Sequence, residues 1–207
     1  MRLSEKAYRL IKEKIIILEL PPSSVIDEQV LMEDLDLGRT PIREALQRLD
    51  CEGLVNVIPR RGTFVSDVSI TDLQRIFELR IPLERLCARL ATQRITEEQI
   101  AQMELLLQDL KQVRGEDCQA LMSIDKRFHT LLYQSAHNKF LDETLNRFHD
   151  LSLRLWYLVL DRLGDVRDAI EQHRAIAEAV KAGDSERAEL LIQRHIVQFQ
   201  ESIKSAL

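Results

Sequence analysis

Gly38-Arg39-Thr40-Pro41-Ile42-Arg43-Glu44-Ala45-Leu46 is the stretch that decides how the first third of the chain folds. Proline has no amide hydrogen to donate and is tolerated in a first helical turn, so Pro41 marks a helix start just after Gly38. Ile42, Ala45, Leu46 and Leu49 then recur at helical spacing as a buried face, and Gly53 supplies the C-terminal stop. Upstream, Asp27 reads as the N-cap of a short helix over 27–35 with apolar Val30, Leu31 and Leu35. Asp36-Leu37-Gly38 joins the two as a tight turn, so the pair reads as a helix-turn-helix.

Arg39 and Arg43 lie off the apolar face at the end of the second helix that would enter a major groove. Downstream, Leu54-Val55-Asn56-Val57-Ile58 and Thr63-Phe64-Val65 read as two short strands, with Pro59-Arg60-Arg61-Gly62 turning between them. The expected unit is a winged helix-turn-helix, with a helix for the bases and a basic wing for the phosphates. The bland alternative is a small helical subdomain with solvated arginines. Residues 4–18 read as a preceding helix N-capped by Ser4 and stopped by Pro21-Pro22.

These residues resemble the DNA-binding domain of GntR-type bacterial transcription regulators. The resemblance rests on Arg-Thr-Pro-Ile-Arg-Glu-Ala-Leu-Gln-Arg-Leu from Arg39, the following Glu52-Gly53-Leu54-Val55, and Arg61-Gly62-Thr63-Phe64-Val65 with its preceding Arg60. It implies DNA contacts from Arg39, Thr40, Arg43, Arg61 and Gly62. Two departures stand out. The family's usual Gly-Val-Ser turn is Asp36-Leu37-Gly38 here, which lacks the capping hydroxyl, and its usual Pro-Gly is Pro22-Ser23.

The formal net charge of −5 excludes an indiscriminate polycationic binder. Residues 1–66 carry ten basic against eleven acidic side chains, so DNA affinity would come from a local patch of Arg39, Arg43, Arg48, Arg60 and Arg61. No apolar run approaches the roughly 20 residues that span a bilayer, and no signal peptide core is visible, so a cytoplasmic protein without membrane contact is expected. Cys51, Cys87 and Cys118 form no C-x-x-C pair and read as buried free thiols in a reducing compartment.

Beyond a linker at 67–70 the chain reads as an all-α antiparallel bundle of about six helices over 71–207, making the whole mainly α. The expected helices are 71–93, kinked or split by Pro82; 96–113, opened by the capping box Thr96-Glu97-Glu98-Gln99; 117–136; 139–163, closed by Gly164; 166–182; and 185–205, capped by Asp184. Asp125 and His129 are four apart, hence on one helix face. His173 and His195 flank the Gly183-Asp184 turn at similar distances, so both can face one pocket of a helical hairpin. Together these four would suit a divalent metal such as Zn, Ni or Mn; equally, each could be an ordinary core or half-exposed side chain. His137 and His149 read as a helix-end residue and a surface residue.

Asp125-Lys126-Arg127-Phe128-His129, Glu171-Gln172-His173-Arg174-Ala175-Ile176 and the late His195 are similar to the ligand-binding (FCD-type) domain of the FadR subfamily of GntR regulators, in its shorter VanR-like branch. The resemblance implies a divalent metal held by Asp125, His129, His173 and His195, and a small carboxylate effector. Arg80 is similar to the family's first-helix arginine, with Arg154 and Asn146 as further effector candidates. A homodimer on a palindromic double-stranded operator would follow. The competing readings are a purely structural metal and a metalloenzyme; against the latter, the chain shows no nucleophile motif and no Gly-rich phosphate loop, so no catalytic role is expected.

Overall fold

The computed structural model describes residues 2–113, 117–162 and 167–206. Its elements run α1 (Leu3–Ile16), β1 (Val25–Ile26), α2 (Glu28–Leu35), α3 (Arg39–Glu52), β2 (Val55–Ile58), β3 (Gly62–Val65), α4 (Ile70–Arg94), α5 (Glu97–Gln112), α6 (Cys118–Ser135), α7 (Lys139–Val159), a 3-10 turn (Leu160–Arg162), α8 (Arg167–Lys181) and α9 (Ser185–Ala206). The chain divides into two compact units. One comprises residues up to Asp72 with Asp150–Leu158 of α7; the other holds Leu73–His149 and the residues from Val159 onward.

In the first unit, α2 begins as its sequence dictates: Asp27 Oδ1 accepts from the Gln29 and Val30 amides at 2.8 and 3.3 Å. Only Leu31 of its apolar positions is buried, and Val30 is largely exposed. Asp36 takes a left-handed conformation (φ 51°) in the turn, and Gly38 caps α3 without any side-chain bond, as the missing hydroxyl requires. Ile42, Ala45, Leu46 and Leu49 are buried against Ala7, Ile11, Ile15 and Leu54. Helix α3 ends at Gly53 in a left-handed conformation (φ 78°). The N-cap of α1 is Arg2, with no side-chain bond, and not Ser4; the helix starts a turn's fraction earlier than its best capping side chain.

The strands form an antiparallel sheet of order β1-β3-β2. Strand β1, two residues long, went unnoticed in the sequence because a segment that short has no period to detect. The register pairs Val55 with Val65 and Ile58 with Gly62. This leaves Pro59, Arg60 and Arg61 as the wing tip. Gly62 sits at φ 112°, where a side chain would be strained.

The second unit's described elements are all helices. Helix α4 continues through Pro82 from Ile70 to Arg94, with no break at Ile81. A single missing amide bond is tolerated because Phe77, Cys87, Ala88 and Ala91 on the same helix are all fully buried. Thr96 and Gln99 form the expected capping box on α5, Asp117 Oδ1 caps α6 through the Ala120 amide at 2.9 Å, and Asp184 Oδ1 caps α9 through the Arg187 amide at 3.1 Å. The expected closure of the fourth bundle helix at Gly164 lies outside the described residues, as does the expected start at Val166; α7 itself stops at Val159. Helices α8 and α9 pack as a hairpin through Gly183, and α6 packs beside α8 and α5. All three cysteines are free, but only Cys87 is buried; Cys51 is exposed and Cys118 half-buried. No helix among the described residues is long and apolar enough to cross a membrane.

Candidate metal centre and nucleic-acid interface

The hairpin of α8 and α9 and its neighbour α6 bring four of the expected side chains together. Asp125, His129, His173 and His195 are all buried, and one donor atom from each lies within 4.8 Å of the other three. His195 Nε2 stands 3.2 Å from His129 Nε2 and 3.3 Å from His173 Nε2. Asp125 Oδ1 is 3.4 Å from His173 Nε2 and 3.8 Å from His129 Nε2. Metal–ligand bonds of about 2.0–2.2 Å place neighbouring donors about 3–3.5 Å apart, so the spacing fits a divalent ion. The donor set, three imidazoles and one carboxylate, suits Zn, Ni or Mn.

Protonation in the buried site matches that use. Burial pushes the His195 imidazole down to about 3, with the nearby His129 adding to the effect. Burial likewise holds His173 well below its ordinary value, assisted by His195. Burial alone would raise Asp125, but the neighbouring imidazoles, His129 first and then the hydrogen bond from His149, outweigh it and hold the carboxyl well below its ordinary range. The neutral imidazoles of His173 and His195 and the ionised Asp125 carboxylate are forms that donate electron pairs to a metal. Nδ1 of His173 and of His195 has no hydrogen-bond partner among the described residues, and Phe128 stacks on the His173 ring at 4.1 Å, which fixes that ring's plane.

Around His129 lies a polar network that sequence patterns did not reveal. Tyr133 Oη donates to Glu84 Oε1 at 2.5 Å and lies 3.3 Å from His129 Nδ1, while Glu84 Oε2 is 3.8 Å from the same nitrogen. A carboxylate beside the far nitrogen of a ligating histidine fixes its tautomer and orientation. Arg80 Nε donates to Glu84 Oε1 at 2.9 Å. Burial would raise the Glu84 carboxyl, yet the Arg80 charge, followed by His129, brings it down to about 2. Arg80 Nη1 and Glu84 Oε2 are buried without a hydrogen-bond partner among the described residues, a donor and an acceptor one helical turn apart. The i, i+4 spacing of Arg80 and Glu84 was the available signal, but that spacing is equally common on solvated faces.

His149 corrects the sequence reading. It is not a surface residue: it is 2% exposed, and its Nε2 donates to Asp125 Oδ2 at 3.2 Å. Burial lowers the imidazole to about 4 despite that bond. His137 does terminate a helix, in a left-handed conformation (φ 47°) after α6. Of the other effector candidates, Arg154 is not brought to the cluster. Its Nη2 donates to the Ser66 carbonyl oxygen at 2.6 Å within the first unit, and burial lowers it to about 10. Asn146 bonds Thr130 Oγ1, next to His129, and the Asp142 carbonyl and carboxylate, all within 3.2 Å.

In the first unit Arg39, Thr40, Arg43, Arg60, Arg61 and Gly62 are all exposed. Arg43 Nε pairs with Glu28 at 2.8 Å, an exposed contact that a groove-binding arginine can exchange for a base. Arg48 is also exposed; it bonds Glu5 at 2.9 Å, and its guanidinium lies 3.6 Å from the Tyr8 ring centroid.

A winged helix-turn-helix followed by a helical bundle with a buried His/Asp cluster is the architecture of a DNA-binding regulator with a second, helical domain. Residues 3–65 match the gntR family of bacterial regulatory proteins, and residues 75–198 match the FCD domain. The chain belongs to the GntR family, in its FCD-domain form, and is a DNA-binding transcription regulator; neither family nor relatives are enzymes. It is 28% identical over 204 residues to the HTH-type transcriptional regulator YdhC of Bacillus subtilis, covering 97% of this chain and 90% of the relative. It is 30% identical over 190 residues to the Nta operon transcriptional regulator of Aminobacter aminovorans, covering 90% and 89%. Among solved structures, Escherichia coli McbR/YncC shares the fold with a TM-score of 0.89 at 23% identity, over 99% of this chain and 98% of that one.

Proposed function

We propose that this regulator senses a small carboxylate at a divalent metal held by Asp125, His129, His173 and His195, and that the signal alters operator binding. The observation carrying this reading is the convergence of four buried donor atoms, one from each residue, within 4.8 Å. When bound, a divalent ion supplies positive charge and coordination positions for an oxygen ligand. Glu84 and Tyr133 orient His129, and the unpartnered Arg80 Nη1 is the donor available to a ligand carboxylate. Arg39, Thr40 and Arg43 read bases from α3, while Arg61 and the Gly62 backbone contact phosphates from the wing. The winged units act in a homodimer on a palindromic operator, two recognition helices about one DNA turn apart. A ligand that changes operator affinity does so through a coupling of order 1–3 kcal/mol.

Thermal unfolding against a panel of small carboxylates, with and without chelator, tests the sensor. Stabilisation by one acid, growing with its concentration, lost with chelator and restored by metal, is the expected result. The near-complete burial of all four ligands favours one other reading, a closed structural zinc site. That version loses much stability on chelation alone and shows no shift with any acid.

A further inference from the structure

The two oxygens of Asp125 face different partners. Oδ1 points to the cluster, at 3.4 Å from His173 Nε2 and 3.8 Å from His129 Nε2. Oδ2 is taken by His149 Nε2 at 3.2 Å. A carboxylate without a proton can only accept, so the hydrogen of this bond resides on His149 Nε2. The His149 side chain is buried, and its ring centroid lies 4.7 Å from that of His129, so it cannot swing to solvent without disturbing the site. It is also outside the set of four whose donor atoms converge.

We infer that His149 is a positioning residue that holds Asp125 to one-oxygen ligation, keeping a coordination position free for an outside ligand. This rests on the metal reading above. The physical logic is that a carboxylate chelates a cation through both oxygens when both are free to turn toward it. A strong donor on the outer oxygen anchors the group and keeps that lone pair occupied. Asp125 is also fixed by its helix, since α6 carries both it and His129 one turn apart. The constraint therefore acts on rotation of the carboxyl, the remaining freedom. The sequence offered no sign of this, because His149 lies twenty-four residues from Asp125 on another helix.

The test uses the full-length protein stripped of metal and titrated with cobalt(II), whose visible absorption reports coordination number. His149→Phe removes the donor and retains the bulk; His149→Gln restores an amide donor. Circular dichroism of the metal-free forms checks folding. Cobalt affinity is expected to fall about 10- to 100-fold in His149→Phe, with a changed visible spectrum, and to recover largely in His149→Gln. A folded His149→Phe with wild-type affinity and spectrum overturns the inference while leaving the metal reading intact. A wild-type protein that takes up no cobalt removes the metal reading, and this inference with it. Should His149→Phe fail to fold, the infrared carboxylate bands of the wild-type cobalt form decide. The wide separation of a one-oxygen carboxylate supports the inference, and the narrow separation of a chelating one refutes it.

Discussion

Replacing Arg80 by leucine should unfold the helical unit far more readily than any surface substitution. Arg80 and Glu84 are 1% and 0% exposed, and their 2.9 Å contact pairs two charges that no water reaches. Arg80 also lies near the faces of Phe77 and Phe199, 5.7 and 5.6 Å from the ring centroids. Removing the guanidinium leaves the Glu84 carboxylate buried with only the Tyr133 hydroxyl and His129 for support. Breaking such a buried pair costs about 3–5 kcal/mol. At about 2–4 °C per kcal/mol for a chain of this size, the melting temperature should fall by about 6–20 °C. The double variant Arg80→Leu/Glu84→Gln should recover most of the loss, because it removes the stranded charge and keeps an oxygen for Tyr133. Thermal and urea unfolding by circular dichroism, in chelator so that metal binding does not contribute, measures all three. An Arg80→Leu protein within about 1 kcal/mol of wild type would refute the argument, since only a solvated pair is so cheaply lost.

Three further expectations follow from the DNA-binding unit. Arg43→Ala should weaken operator binding by about 1–3 kcal/mol and relax base preference, whereas Arg61→Ala should weaken all sequences alike and lower the salt slope by about one; fluorescence anisotropy at several salt concentrations separates the two. Gly62→Ala places a side chain at φ 112° where nothing lies within 4 Å, so the cost is backbone strain alone, about 1–3 kcal/mol, seen as a lower melting temperature of the first unit. Lys12, held by Asp150 at 2.6 Å, Glu52 at 2.9 Å and the Tyr8 hydroxyl at 2.8 Å, is the polar centre of that unit. Lys12→Met should cost about 1.5–3 kcal/mol for the lost charged hydrogen bonds, and an unchanged urea midpoint would contradict this.

The chain's local chemistry determined much of the first unit. Pro41 and Gly53 bracket α3, Asp27 caps α2, and the apolar period from Ile42 to Leu49 fixes which face is buried, all within one or two turns of the residues concerned. The same holds for the capped starts of α5, α6 and α9 and for the pairing of Asp125 with His129 across one helical turn. Spacing about the Gly183 turn, together with the family resemblance, was enough to group His173 and His195 with them.

Packing between distant segments decided the rest. Whether Pro82 breaks α4 depends on the buried contacts of Phe77, Cys87, Ala88 and Ala91, not on proline itself. Arg154 and Arg80 are both buried arginines on apolar helices, yet one serves the Ser66 carbonyl and the other Glu84. The stacking of Arg48 on Tyr8 and its pairing with Glu5 join α3 to α1, residues about forty positions apart. His149 carries no motif, and only the approach of α7 to α6 turns it from a surface-like histidine into the partner of Asp125. Short-range order is written in neighbouring residues because hydrogen bonds and side-chain periods repeat within a turn or a strand. Which buried charge meets which partner is set by long-range packing, and no local pattern encodes it.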